Sequence, residues 1–549
     1  MNYPEIPLAQ SILQIFKAKG IQHIIISPGS RNAPLTIGFT NDPYFTCYSI
    51  VDERCAAFFA MGIAQQIGQP TALLCTSGSA LLNYYPAIAE AFYSQIPLII
   101  VSADRPTSKI DIGDGQTIRQ RNVFENHSLF NANLTEDATQ TNDVLIQQAI
   151  TTSIIKKGPV HINVPFEEPL YNTTSGYTYK PYLITDKFEE SKNVSINLDL
   201  IQHAKKIIVL IGSQNPNEIS QENINYLASL PNVIILTEIN SNVHHENIVA
   251  NIDTLITTFN EDDFEYFTPD LLITFGGMLV SKRVKAMFRS YKPANHWHVN
   301  ELRAYDTFST LTQHLQISPN HFIDQLKSEL KPTTSQFSSH VRSIMHNRKI
   351  GHDLYMDQIP FSDLKAFDII WKKLPKNIQL QISNSAVIRY AQLFDTDHSV
   401  DVFCNRGTSG IDGSTSTAIG AAVATIKPSI LITGDISFLY DSNALWNNYI
   451  PKNFKIIIIN NSGGGIFRIL PGHEENKTFN TYFETEHQLT AEHLAKMYHF
   501  NYLTATSNEE LSLALDLLFA NNDKPQILEV FTPSKINRDL LRNYFTTIS

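Results

Sequence analysis

The sequence predicts an α/β fold made of three doubly wound parallel-sheet domains. Short apolar runs, such as residues 21–26 and 456–459, show no alternation of apolar and polar side chains, which is typical of strands buried on both faces. Stretches with helical periodicity separate these runs, as expected when helices cover a parallel sheet. Two polar, aperiodic stretches, 171–193 and 331–340, divide the chain. We therefore predict domains over residues 1–180, 195–335 and 355–549.

The first unit alternates helices with strands. Apolar residues between Leu8 and Phe16 follow a helical stripe, and Gly20 is suited to end that helix. An alanine-rich helix is expected over residues 52–66. A helix over residues 80–93 should bend at Pro86, because proline lacks an amide hydrogen. Strands are predicted at residues 21–26, 71–75, 97–103 and 160–164.

The other two units repeat this alternation, with strands predicted at residues 207–211, 233–236, 271–275, 378–382, 430–433, 455–459 and 526–531. The central unit lacks the G-x-G-x-x-G loop of dinucleotide-binding domains, so we predict no dinucleotide there. His296 and His298 have a spacing seen in metal sites. Without a nearby cysteine or a third ligand, however, a zinc site is disfavoured.

Composition excludes several classes of protein. The 549 residues include 42 Lys and Arg and 53 Asp and Glu, which gives a net charge of −11. This negative charge disfavours both nucleic-acid binding and a polybasic membrane anchor. The 4 cysteines form no C-x-x-C pair, as is usual in a reducing compartment. No signal-peptide pattern or membrane-spanning apolar stretch is present, so a cytoplasmic protein is expected.

Polar motifs follow two of the predicted strands in the last unit. Residues 434–437 read Gly-Asp-Ile-Ser, and residues 460–465 read Asn-Asn-Ser-Gly-Gly-Gly. Because parallel strands end at one edge of the sheet, Asp435 and Asn461 should lie side by side, where their oxygens and the Gly463 carbonyl suit Mg²⁺. A helix expected to begin near Tyr440 would offer N–H groups to a phosphate. Either motif alone also fits an ordinary helix cap or strand-to-helix loop.

Together these motifs resemble the diphosphate and metal site of thiamine diphosphate-dependent enzymes. The three-unit layout is similar to theirs, although Ile436 stands where many members have glycine. The resemblance implies thiamine diphosphate with Mg²⁺ or Mn²⁺, bound to metal ligands Asp435, Asn461 and Gly463. It also implies that Glu53 is the acid that acts on the pyrimidine ring of the cofactor. Without the resemblance, Glu53 would be read as an acid favoured by the first turn of a helix.

Further segments resemble the menaquinone-pathway branch of this family. They are Ser-Pro-Gly-Ser-Arg-Asn-Ala-Pro-Leu-Thr at 27–36, Thr-Ser-Gly at 76–78, Ala-Asp-Arg-Pro at 103–106, Gln-Thr-Ile-Arg-Gln at 116–120, Ser-Lys-Arg at 281–283, Asn-Ser at 384–385 and Asn-Arg-Gly-Thr-Ser-Gly-Ile-Asp-Gly at 405–413. That branch condenses 2-oxoglutarate with isochorismate and releases CO₂. The resemblance therefore implies a decarboxylating carboligase, a transferase, acting on two dianions.

The resemblance also implies a role for each matched position. Cofactor contacts are expected from Glu53, Ile411, Gly434, Asp435, Ser437 and Asn461, with Ile411 as the apolar wedge under the cofactor. Contacts to 2-oxoglutarate are expected from Ser385, Arg389 and Arg406. Isochorismate is expected to meet Ser30, Arg31, Arg105, Gln116 and Lys282. An apolar wall is expected from Ile466, Phe467 and Leu470.

The arginines suit this chemistry because a planar guanidinium binds both oxygens of a carboxylate. Ile466 and Phe467 would otherwise be read as core residues, and Gly115 replaces an Asn found in the family, which puts one contact to isochorismate in doubt. The family implies a homodimer or homotetramer with active sites between subunits. Two alternatives stay open, namely another thiamine diphosphate enzyme of the acetolactate synthase type and a non-catalytic nucleotide- or cofactor-binding module.

Overall fold

The structure is a computed structural model and describes residues 2–185, 194–330, 333–469, 474–520 and 522–548. Within these residues it contains three parallel sheets of six, five and six strands, flanked by helices. This arrangement confirms the predicted α/β fold class. No helix of the described ranges is both long enough and apolar enough to cross a membrane.

The first unit contains β1 Tyr3–Pro4, α1 Pro7–Ala18, β2 His23–Ile26, α2 Ala33–Asn41, β3 Thr46–Ser49, α3 Glu53–Ile67, β4 Thr71–Cys75, α4 Ala80–Asn83, α5 Tyr85–Ser94, β5 Leu98–Asp104, β6 Asn131–Asn133, α6 Gln140–Lys156, β7 Pro159–Pro165 and β8 Thr173–Thr174. Its parallel sheet has the order β3-β2-β4-β5-β7-β6, while β1 and β8 form an antiparallel pair. The expected bend at Pro86 is a break between α4 and α5.

The central unit contains α7 Leu198–His203, β9 Ile207–Ile211, α8 Gln221–Ser229, β10 Val233–Thr237, α9 Ile252–Ile256, α10 Glu261–Phe267, β11 Leu271–Phe275, α11 Lys282–Ser290, β12 Asn295–Val299, β13 Gln313–Leu315, α12 Pro319–Glu329 and α13 Phe337–Gln358. The sheet order is β10-β9-β11-β12-β13. His296 Nε2 and His298 Nδ1 lie 3.0 and 2.8 Å from Thr274 Oγ1, and burial lowers the pKa of both rings to about 4. These histidines are therefore bonded inside the sheet.

The third unit contains α14 Asp363–Lys373, β14 Gln379–Ile382, α15 Ala386–Ala391, β15 Asp401–Phe403, α16 Ser414–Val423, β16 Ser429–Gly434, α17 Asp435–Tyr440, β17 Lys455–Asn460, α18 Ile466–Ile469, α19 Glu492–Met497, β18 Asn501–Ala505, α20 Asn508–Phe519, β19 Gln526–Phe531 and α21 Asn537–Thr547. Its sheet has the order β15-β14-β16-β17-β19-β18. The three sheets lie inside the three predicted ranges, whose boundaries stay a prediction.

Helix α3 of the first unit packs against helix α16 of the third unit within one chain. A Cβ atom at Gly62 would lie 2.1 Å from the carbonyl oxygen of Thr417, and one at Gly420 would lie 2.0 Å from that of Phe59. The two backbones approach this closely because both contact positions are glycine. The contact brings the helix that begins at Glu53 beside the helix that follows Ile411.

Replacing Gly420 by alanine is expected to destabilise this contact. Alanine favours a helix by about 1 kcal/mol over glycine, but the new methyl group would overlap a backbone oxygen that cannot rotate away. We expect a net loss of stability of about 1–3 kcal/mol, visible as a lower Tm. Gly176→Ala is the matched control, because open space surrounds that position. A Tm for Gly420→Ala equal to that of the control would contradict the expected overlap.

Candidate active site

A cavity of about 170 Å³ lies at the carboxyl edge of the third sheet. Strand β14 lies between β15 on one side and β16 on the other. The strand order therefore reverses at β14, and open α/β sheets bind ligands at such a point. The lining brings together the predicted residues Ser385, Ile411, Gly434, Asp435, Ser437, Asn461, Gly463, Ile466 and Phe467. Leu470 lies outside the described residues.

Asp435 is held at the floor of this cavity by backbone donors. The N–H groups of Ile436 and Gly463 donate to its two carboxylate oxygens at 2.7 and 2.9 Å, and the side chain is buried. His487 Nε2 lies 3.3 Å from Oδ2, and this contact with the negatively charged carboxylate raises the pKa of His487. Helix α17 begins at Asp435 and ends at Tyr440, so the expected helix start near Tyr440 was wrong. The chain turns into the helix directly after β16.

Asn461 is oriented by a buried acid that the sequence analysis did not identify. Its Nδ2 donates to Asp363 Oδ2 at 2.8 Å, and Asp363 also accepts a hydrogen bond from Thr532 Oγ1 at 2.5 Å. Burial raises the pKa of Asp363 to about 6. Because the amide nitrogen of Asn461 faces Asp363, its carbonyl oxygen is on the other side of the amide, where it could ligate a cation.

The donor set suits a hard divalent cation. It consists of the Asp435 carboxylate, the Asn461 amide oxygen and the Gly463 carbonyl, which also accepts the N–H of Gly465 at 3.0 Å. No group of three or more His, Cys, Asp or Glu with metal-binding geometry occurs in the described ranges. A cation here would therefore rely on oxygens of mixed type, as Mg²⁺ does when a phosphate completes its shell.

The apolar side of the cavity is formed by Ile411, Ile466 and Phe467. Ser437 Oγ donates to the carbonyl of Ile411 at 3.1 Å, so the first turn of α17 supports the segment that carries this isoleucine. The phenol of Tyr390 also lines the cavity, and its buried oxygen has no hydrogen-bond partner among the described residues. An unpartnered buried hydroxyl in a cavity wall is suited to a polar ligand.

Glu53 stands at the start of α3, beside the third unit. Asp52 caps the helix by accepting the N–H of Cys55 at 3.2 Å, and Asn83 Nδ2 lies 3.4 Å from Glu53 Oε2. Its neighbour Arg54 donates to the carbonyl of Asp412 and to Asp441 Oδ1, the latter at 2.9 Å. Glu53 itself is half-buried and does not line the third-sheet cavity as described. It is nevertheless held next to the segment that carries Ile411.

Two arginines stand close to each other at the same edge of the third sheet. Arg406 Nη1 donates to Asn384 Oδ1 at 2.6 Å, and Arg389 donates to the carbonyl of Ser385. Burial and the positive charge of Arg406 lower the pKa of Arg389. Ser385 precedes α15 with φ of 73°, a strained conformation for a side chain with a Cβ. Such clustered positive charge favours an anionic ligand.

A second cationic group lies at the carboxyl edge of the first sheet. Arg31 is buried and donates to the carbonyl of Phe166 at 3.0 Å and to Glu168 at 3.1 Å. Arg105 Nη1 lies 3.6 Å from Asp114 and 4.0 Å from the same oxygen of Glu168. Ser30, Gln116 and Lys282 are exposed, and none of these five predicted residues lines the third-sheet cavity as described.

Arg31, Arg105 and Arg406 share one further property. In each, the Nε–H is buried and has no hydrogen-bond partner among the described residues. Leaving a buried donor unpaired costs free energy, and native proteins seldom do so without a reason. All three side chains are therefore suited to receive a further acceptor such as a carboxylate.

A buried acid from the first unit holds the loop that carries Arg406. Glu90 accepts the N–H groups of Gly407 and Thr408, both at 2.6 Å, and its side chain is 1 % exposed. A Cβ at Gly407 would lie 2.4 Å from the carbonyl oxygen of Glu90, which explains the glycine. A single acid in the apolar helix sequence Ala-Ile-Ala-Glu-Ala-Phe was the signal that could have identified Glu90.

Comparison with known proteins agrees with this geometry. The N-terminal TPP binding domain of thiamine pyrophosphate enzymes matches residues 6–131, and the C-terminal TPP binding domain of these enzymes matches residues 385–530. The first match contains Glu53, and the second contains most of the residues that line the cavity of the third sheet, Asp435 and Asn461 among them.

Similar proteins extend over the whole chain. A 2-succinyl-5-enolpyruvyl-6-hydroxy-3-cyclohexene-1-carboxylate synthase of Flavobacterium psychrophilum is 60% identical, with 100% of both chains covered. A synthase of the same name from Flavobacterium johnsoniae is 59% identical, also over 100% of both chains. One from Porphyromonas gingivalis is 38% identical over 98% of this chain and 96% of its own. The chain therefore belongs to the 2-succinyl-5-enolpyruvyl-6-hydroxy-3-cyclohexene-1-carboxylate synthase family of thiamine pyrophosphate enzymes.

Proposed function

We propose that this chain is a transferase that condenses 2-oxoglutarate with isochorismate, releases CO₂ and forms 2-succinyl-5-enolpyruvyl-6-hydroxy-3-cyclohexene-1-carboxylate for menaquinone biosynthesis. The observation that carries the proposal is the unpartnered buried Nε–H of three arginines at predicted substrate positions, Arg31, Arg105 and Arg406. They suit two substrates that are both dianions. Full-length similarity to synthases of that name supports the same assignment.

The cofactor is thiamine diphosphate, and we propose Mg²⁺, replaceable by Mn²⁺, as its metal. Asp435, Asn461 and the Gly463 carbonyl would ligate the cation, with Gly434 and Ser437 beside the diphosphate and Ile411 under the rings. When bound, the cofactor supplies a nucleophilic carbon and an electron sink for decarboxylation of a 2-oxo acid. Glu53 would hold a proton at the pyrimidine nitrogen of the cofactor.

The remaining site residues would orient the two substrates. Arg389, Arg406 and Ser385 would hold the carboxylates of 2-oxoglutarate. Ser385 lines the cavity, and the two arginines donate hydrogen bonds to the lining residues Ser385 and Asn384. Ser30, Arg31, Arg105, Gln116 and Lys282 would hold isochorismate. Ile466 and Phe467 would exclude water, since a dry apolar wall protects a reactive centre from stray protons. Leu470 is proposed for the same wall.

We further propose that the three ranges 1–180, 195–335 and 355–549 act as the pyrimidine-binding, central and diphosphate-binding domains of a cytoplasmic homodimer or homotetramer. Sites between subunits can be tested by mixing Glu53→Gln and Asp435→Asn chains. Recovery of roughly a quarter of wild-type activity after exchange supports sites shared between subunits. No recovery in exchanged mixed oligomers supports sites formed within one chain, where α3 and α16 already meet.

One assay separates the proposed activity from its alternatives. Purified chain is incubated with thiamine diphosphate, Mg²⁺ and isochorismate, with or without 2-oxoglutarate, and isochorismate is followed by absorbance while CO₂ is trapped. Loss of isochorismate that depends on 2-oxoglutarate supports the proposal. Turnover of pyruvate but not of 2-oxoglutarate would indicate an acetolactate synthase-type enzyme. Cofactor binding without turnover of any 2-oxo acid would indicate a binding module.

A further inference from the structure

The central unit contains a buried acid whose two oxygens hold a single loop. Glu238 follows β10 and is 3 % exposed. Its Oε2 accepts the N–H of Val280 at 2.6 Å, and its Oε1 accepts the N–H of Ser281 at 2.6 Å. A charged carboxylate has two acceptor-only oxygens, so it is suited to receive both N–H groups at once.

The loop held in this way connects two predicted substrate residues. Ser281 caps α11 by accepting the N–H of Val284 at 3.1 Å, and Lys282 is the first residue of that helix. On the other side of the loop, the carbonyl of Leu279 accepts a hydrogen bond from Arg406 Nη2 at 3.3 Å. A shift of the loop would therefore move Lys282 and remove one anchor of Arg406.

Charges around Glu238 show how the contact is balanced. Burial raises the pKa of Glu238 to about 7, while the two N–H donors and the positive charge of Arg406 act in the opposite direction. Asp253 faces the same loop from α9 and accepts a hydrogen bond from Ser281 Oγ. Two acids of the central unit thus hold one short segment, and their partners are distant in the chain.

We propose that Glu238 is a positioning residue for the second substrate, and that the central domain takes part in the reaction by presenting Lys282 through this loop. The inference rests on the proposed function, because Lys282 is assigned to isochorismate there. A purely structural acid would change the folded fraction, and so the apparent kcat, without changing KM. A positioning acid changes the KM for isochorismate while leaving cofactor binding intact.

The test compares Glu238→Gln with wild type in the holoenzyme. Glutamine keeps the shape but offers one oxygen, so its amide N–H₂ would meet a backbone N–H and displace the loop. We expect the KM for isochorismate to rise about tenfold or more, a smaller rise in the KM for 2-oxoglutarate, and unchanged single-turnover release of CO₂ from 2-oxoglutarate. Thiamine diphosphate binding should match wild type. Glu265→Gln, at an exposed site of the same unit, is the matched control.

The outcomes separate the inference from the function on which it rests. If wild type consumes no isochorismate, the proposed function fails, whatever the variant does. The positioning role is overturned if wild type is active and Glu238→Gln keeps the wild-type KM for isochorismate. It is also overturned if the variant differs from wild type only in a smaller fraction of folded protein. Should Glu238→Gln not fold, Asp253→Asn tests the same loop. A raised KM for isochorismate in that variant supports the role, and an unchanged KM overturns it.

Discussion

Replacing Glu53 by glutamine is expected to reduce turnover by about 10²–10⁴-fold while thiamine diphosphate and Mg²⁺ still bind. The amide has the same shape as the acid, and the first turn of α3 would lose only a helix-dipole interaction of about 0.3–1 kcal/mol. Arg54 keeps its bonds to Asp412 and Asp441, so the contact between the first and third units should persist. The large effect follows because glutamine cannot hold or give up the proton at the cofactor ring.

The measurement pairs steady-state turnover with cofactor titration followed by protein fluorescence. Glu125→Gln serves as the control, because that acid is exposed in the same unit. It should keep wild-type turnover and affinity. Wild-type turnover in Glu53→Gln would remove Glu53 from the proposed role. If the variant loses both cofactor binding and turnover, Glu53 has a structural role instead.

Replacing Asp435 by asparagine is expected to abolish metal-dependent cofactor binding and, with it, activity. Asp435 is the one carboxylate among the proposed ligands, and its substitution also sets an amide N–H₂ against the N–H of Gly463. A ligand at a hundred times its Kd stabilises wild type by about 2.7 kcal/mol. The variant should lose this stabilisation, so its Tm should not rise when thiamine diphosphate and Mg²⁺ are added.

Thermal melting with and without both ligands checks this expectation. Asp523→Asn, an exposed acid of the same unit, should show the full rise in Tm. The Tm of apo Asp435→Asn is expected slightly below that of apo wild type, because the hydrogen bond from Ile436 can be kept while the N–H of Gly463 loses its acceptor. A ligand-induced rise equal to wild type would show that Asp435 is not needed to hold the cofactor and metal.

Much of this fold follows from local pattern. The apolar run at 455–459 predicted strand β17 because a strand buried on both faces needs no alternation. Asp435 and Asn461 could be placed together from sequence because parallel strands end at the same edge of a sheet. The predicted start of the helix after β16 was wrong, because the chain turns into the helix directly at Gly434 and Asp435, without the loop that was expected.

Other parts of the site depend on contacts that no local pattern contains. Asp363 orients Asn461 from 98 residues away, and Glu90 holds Gly407 from 317 residues away. Glu238 carries no local signal beyond its place after a strand. Such buried acids become visible only when the packing of the units shows which backbone N–H groups they face. Motifs thus predicted the groups that we propose to face ligands, and the structure identified the groups that hold them in place.

The bond between Glu90 and the loop at Gly407 and Thr408 also affects how the protein loses activity on heating. The third-sheet cavity is lined by the third unit alone, whereas the Arg406 loop is fixed from the first unit by Glu90 and from the central unit through Leu279. Partial opening between units would release that loop while the cavity stays folded. Substrate recognition should therefore be lost before the metal and diphosphate site proposed in the third unit.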